Sequence, residues 1–152
     1  MTRWARGVGA LWALALLAAC PAKEAPRAGL RVPLPPGWVA DEGKGGALRA
    51  GPRGRTVLLL EHQGEAALPG PEALEAAVKE EGGEVLEVKR EAEVALVRYR
   101  VGTGADQGFG FVGARRLDGR LFLCASAPEA SDAELRVAEG VCRDLKWGGV
   151  GQ

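Results

Sequence analysis

Isoleucine and asparagine are absent from this chain, serine occurs only at Ser126 and Ser131, histidine only at His62, and cysteine only at Cys20, Cys124 and Cys142. Each scarcity removes a chemistry. A zinc site takes three or four ligands, and one His with cysteines committed elsewhere leaves only scattered carboxylates. Neither serine stands in a nucleophile elbow, and Ser131 is better placed as a helix cap. Neither Cys124 nor Cys142 has a Cys-x-x-Cys partner, and His62 is remote from both. Carboxylate pairs such as Glu80-Glu81 sit at the polar end of a helix, where solvation accounts for them. The reading is a non-enzymatic chain without metal or cofactor. Charge of one sign is also lacking: 20 basic residues balance 20 acidic ones and are dispersed, so nucleic acid is excluded as a partner. Arg outnumbers Lys 15 to 5, a bias that a GC-rich genome or a thermophilic source would each produce.

A long apolar run is missing as well. Val8 to Ala19 spans only 12 residues, whereas a membrane-crossing helix needs roughly 20. With Arg3 and Arg6 ahead of it, the segment has the basic and apolar regions of a secretory signal. It ends in Leu17-Ala18-Ala19-Cys20, which resembles the lipobox of bacterial lipoproteins. That resemblance implies cleavage after residue 19, a diacylglycerol on the Cys20 sulfur and often an acyl chain on its new amino group. Each buried methylene contributes about 0.8 kcal/mol, so two or three chains anchor a protein durably. The expected address is the cell envelope, facing the periplasm or the exterior. Pro21 in place of Asp favours the outer membrane where two membranes exist. Residues 20–29 read as a lipidated tether, residues 30–147 as the globular domain and residues 148–152 as a disordered tail.

Cys124 and Cys142 remain as an even pair in an exported chain. Cys124 lies in "RLFLCAS", where Phe122, Cys124 and Ser126 alternate with Leu121, Leu123 and Ala125. Cys142 lies in a helical pattern opened by Ser131, with Leu135, Ala138, Cys142 and Leu145 on one face. A strand and a covering helix would thus be bridged by a disulfide; two buried free thiols are the alternative.

Turn signals divide the body. Pro35-Pro36-Gly37 closes "LRVPL", and residues 51–54, "GPRG", precede the buried-strand pattern "TVLLLE". Pro71 and Gly82-Gly83 bracket a helix whose inner face is Leu74, Ala77 and Val78. Val85 to Lys89, "EVALVRYRV", "GFGFVGARR" and "RLFLCASA" then read as strands, the last two joined by the hairpin signal Asp118-Gly119. The pattern is α+β: an antiparallel β-sheet covered by a mid-chain helix and a C-terminal helix. The opening "VPLPPGW", this element order and the closing "LKW" resemble the PsbP-like fold, an α/β sandwich shared by many small bacterial lipoproteins.

Two glycine patterns invite a nucleotide reading. Gly108, Gly110 and Gly113 spell G-x-G-x-x-G, but an interleaved strand and a hairpin follow where a dinucleotide site needs a helix. The glycines are instead expected where another backbone crosses a strand or a bulge forms. The "GKGG" at residues 43–46 lacks the Ser or Thr of a phosphate loop. His62 reads as a solvated strand end.

The expected function is therefore a membrane-anchored envelope lipoprotein that presents its domain to an unidentified envelope protein or complex. A small-ligand or lipid carrier is the alternative, and a carboxylate-based hydrolase a third. The candidate partner surface is Trp38 with Arg98, Arg100, Arg115 and Arg116, the arginines clustering if their strands pair. Solvated outward arginines and a Trp38 packed on the Pro-Gly turn are the plainer readings.

Overall fold

The computed structural model describes residues 29–148 apart from Lys44 and Gly46. The signal and lipobox, Cys20, residues 20–28 of the tether and residues 149–152 of the tail lie outside the described residues.

Among the described residues, nine strands and two α-helices follow one another as β1 (Leu30–Arg31), β2 (Trp38–Glu42), β3 (Leu48–Pro52), β4 (Leu58–Glu65), α1 (Pro71–Glu80), β5 (Glu84–Glu91), β6 (Val94–Val101), β7 (Gly108–Leu117), β8 (Arg120–Ser126), α2 (Asp132–Arg143) and β9 (Lys146–Trp147). Seven strands form one antiparallel sheet in the order β2-β3-β4-β8-β7-β6-β5, and β1 pairs with β9 apart from it. Two meanders, β2 to β4 and β5 to β8, thus join where β4 meets β8. Asp118 and Gly119 both take positive φ, as the expected two-residue hairpin turn requires.

Strand alternation gives the sheet two apolar faces, each with its own helix. On one, Leu58, Leu60, Leu96, Phe111, Phe122 and Cys124 form a core with Leu135, Ala138, Val141 and Cys142 of α2. On the other, Val97, Tyr99, Val112 and Ala125 pack with Val78 and Leu74 of α1. Leu96 and Val97 are consecutive, so the two helices lie on opposite sides of the sheet and the domain has three layers. Among the described residues no helix is long and apolar enough to cross a membrane.

The helices are held differently. Ser131 caps α2: its hydroxyl accepts from the Glu134 N–H at 3.2 Å, while the Ser131 N–H donates to the Glu134 carboxylate at 2.9 Å. That N–H, with Arg55 beyond it, holds the Glu134 carboxyl below the usual value. Cys142 then joins Cys124 of β8 in the expected disulfide, Cα to Cα 6.2 Å and 18 residues apart in sequence. By contrast, α1 starts at Gly70 and Pro71 without a side-chain cap and stops where Gly82 turns left-handed at φ 81°.

Two short strands carry no strong sequence signal. In β2 four of five side chains are exposed, so no alternation marks it. In β9 two residues suffice because Leu30 and Trp147 pair and both pack on the α2-side core.

Candidate functional site

The strands carrying the four arginines do pair, yet their register disperses the side chains. Arg98 faces Phe111, Arg100 faces Phe109 and Arg115 faces Val94 on the α2 side of the sheet, whereas Arg116 points to the α1 side. Arg98 and Arg115 stand four residue positions apart along the ladder, roughly 13 Å at ~3.3 Å per residue.

Two of the arginines are already engaged within the fold. Arg98 forks onto Glu139 of α2, with Nη2 to Oε2 at 2.8 Å and a second contact from Nε to Oε1, and Glu87 of β5 lies 3.9 Å away. Glu139 is only 4% exposed, and its hydrogen bond to Arg98 is the chief reason the guanidinium is held above its ordinary pKa. The pair therefore ties β5, β6 and α2 together. Arg100 bonds Glu84 of β5 with both donors on one oxygen, Nε to Oε2 at 3.0 Å and a second contact from Nη2 to the same Oε2. Arg115 and Arg116 are half-buried, and neither Nε has a hydrogen-bond partner among the described residues. Trp38 opens the free edge strand β2, its N–H donating to Pro35 O at 3.1 Å, and its ring packs on the α2-side core. It thus belongs to the core as well as to the Pro-Gly turn.

A second cluster is built from residues that sequence reasoning treated separately. His62 of β4 faces Phe122 of β8, and Arg115 of β7 faces the same Phe122 from the other side. The His62 and Phe122 ring centroids lie 4.9 Å apart, Phe122 and Trp147 6.1 Å, and the Arg120 guanidinium stands 4.3 Å over the Trp147 ring. Burial first, and then the Arg120 charge, depress the His62 pKa. Both its ring nitrogens are occluded without a partner. His62 is thus half-buried and packed, not a solvated strand end. The signal was available: Leu58, Leu60 and His62 share one strand parity, and the first two point into the core.

The G-x-G-x-x-G run lies within β7 and binds nothing through a helix terminus. A methyl at Gly110 would meet the Tyr99 ring at 2.6 Å, and one at Gly113 would collide with the Leu96 side chain. Each glycine faces that same residue across the ladder. The room is used by cross-strand side chains, where a crossing backbone or a bulge was expected.

A groove of about 250 Å³ runs beside β2 and β3, lined by Val39, Asp41, Arg49, Gly51, Arg55 and Thr56 among others. Its charges are paired: Arg49 with Asp41 at 3.3 Å, and Arg55 with Glu134 at 2.6 Å. That volume lies below the ~300–1,000 Å³ common for small-molecule sites. Glu61 has a carboxyl raised by burial, and it faces Leu123 across the ladder. Among the described residues no group of three His, Cys, Asp or Glu is arranged to hold a metal ion.

No protein-family model matches the chain, and comparison with curated proteins gives no match.

Proposed function

We propose that the protein is a bacterial envelope lipoprotein of PsbP-like architecture, acylated at Cys20, whose non-enzymatic domain docks to a protein of an envelope complex. The observation that carries the reading is Leu17-Ala18-Ala19-Cys20 directly behind a basic start and a 12-residue apolar run. A disulfide between Cys124 and Cys142 supports it, since such bonds persist in exported, oxidising surroundings. Two helices on a large antiparallel sheet fit the architecture. The groove beside β3 is small and its ion pairs are internally satisfied, so that groove lends no support to carriage of a small ligand.

Intact-mass measurement of material from native membranes tests the anchor. A mature chain starting at residue 20 with added acyl mass is expected, and Cys20→Ser abolishes that mass and releases the protein from the membrane fraction. An uncleaved leader, or a terminus without acyl chains, overturns the reading. Crosslinking followed by capture from the same membranes tests the docking role, with one envelope protein expected to be enriched over the Cys20→Ser control. A thermal shift with lipids, in the absence of such a protein, would transfer the role to a carrier.

A further inference from the structure

Both edges of the seven-stranded sheet, β2 and β5, have a hydrogen-bonded neighbour on one side only among the described residues. An open edge is a template for another strand unless its side chains forbid it. The two edges differ in this respect. β2 has five residues, and its two charged side chains, Asp41 and Glu42, are both acidic, so a second β2 laid against it brings no cation of its own strand to oppose them. β5 has eight residues and carries charges of both signs, with Leu86 46% and Val88 39% exposed. Those two account for two of the five large apolar side chains exposed on the described surface, and both lie on this one edge.

We propose that β5 is the dimer interface, pairing antiparallel with β5 of a second copy of this chain about a two-fold axis at Val88. A two-fold axis between antiparallel edge strands runs normal to the sheet, so some residue must face its own copy and only a few registers exist. Centred on Glu87, the pairing opposes two like carboxylates. Centred on Lys89, it opposes two ammonium groups and sets Glu87 against Glu91. Centred on Leu86, it forms no ion pair. With Val88 at the centre, Val88 meets Val88, Glu87 faces Lys89 of the second copy and Lys89 faces its Glu87. Opposite charges directly across a ladder favour that register, like charges disfavour those centred on Glu87 and Lys89, and the one centred on Leu86 gains no ion pair. Glu87, Val88 and Lys89 all lie beyond the irregularity between Val85 and Glu87, in the regular part of the strand. The Glu87 and Lys89 side chains are 45% and 40% exposed and stand 3.6 Å apart within one chain, with Arg98 also 3.9 Å from Glu87, so pairing across the interface would exchange the Lys89 contact for the same contact with the second copy. The result is a continuous sheet of two domains, leaving the β2 edges outermost.

The test uses the full chain in native membranes with Val88→Cys, oxidised and run on a non-reducing gel. Residues directly opposite across an antiparallel ladder have Cα atoms ~4.5–5.5 Å apart, within disulfide reach. Cys124 and Cys142 are each 2% exposed or less and stay out of the exchange. Val88→Cys is expected to form the covalent dimer at least about tenfold faster than Val39→Cys on the β2 edge. Adding Lys89→Glu is expected to slow it about tenfold, by turning both attractive pairs repulsive, and adding Glu87→Lys to that variant to restore it. Light scattering of the detergent-solubilised chain without cysteine substitution should report a dimer that Lys89→Glu dissociates and the double reversal reforms. Equal crosslinking at Val39→Cys, indifference to charge reversal, or a monomer in light scattering overturns the proposal.

Discussion

The two helices cover opposite faces of one sheet with unequal grip. On the α2 side, fifteen buried residues form one core, five residues of the helix are buried, its first turn is capped by Ser131, and a disulfide and an Arg98–Glu139 pair fasten it to the strands. On the α1 side, five buried residues form the core, Val78 is the one helix residue fully buried, and the start has no side-chain cap. Apolar area, caps and crosslinks each add to the free energy of local opening, so the α1 layer should open first. A domain of this size does not need equal layers. One fastened face can hold the sheet while the other stays lightly covered.

Removing the disulfide should narrow that contrast most. With both Cys124→Ala and Cys142→Ala, stability is expected to fall by about 3 kcal/mol and the melting temperature by on the order of 10 °C, measured by calorimetry. Hydrogen exchange of α2 amides should rise toward that of α1. Next comes Arg98→Ala, which leaves the buried Glu139 carboxylate without its partner. The expected cost, from urea unfolding, is about 2 kcal/mol, below the ~3–5 kcal/mol of a fully buried pair because the Arg98 side chain is 30% exposed.

Val78→Ala sharpens the contrast instead, since it strips the α1 layer of its one fully buried side chain. A loss of about 1.5 kcal/mol is expected, with faster exchange confined to α1 and the strands β5 and β6 beneath it. The smallest effect belongs to His62, at the rim of the α2-side core. Its pKa is lower in the folded chain than the 6.5 of the free group, so the unfolded chain takes up its proton first on acidification. The neutral imidazole's contribution is complete above pH 6.5 and declines as pH falls from there toward the depressed value. His62→Leu should therefore flatten the stability profile below pH 6.5, in paired melts at successive pH values. An unchanged profile would place the imidazole in water.

Much of this architecture is legible in local pattern. Pro71 and Gly82, Ser131 with Glu134, Asp118-Gly119 and the alternation around Cys124 each act within a few residues, and each marks the element that forms there. The β2 strand was not legible because its exposed side chains carry no period, and β9 because two residues are too few to show one. His62 was misplaced by its polarity, although its strand parity matched Leu58 and Leu60. The arginines are the instructive case. Nearness in sequence put Arg115 beside Arg116, but a strand sends neighbours to opposite faces, and the acids that engage Arg98 and Arg100 come from α2 and β5.

The sequence by itself determined the kinds of element, their order, the antiparallel hairpin and which cysteines could meet, because periodicity, capping and turn chemistry are local properties of the chain. Only the tertiary structure decided that the helices take opposite faces, that β4 joins the two meanders at β8, and which charges are neutralised and which edges left open. Those outcomes depend on pairing between residues far apart in the chain, where no short-range pattern records the choice.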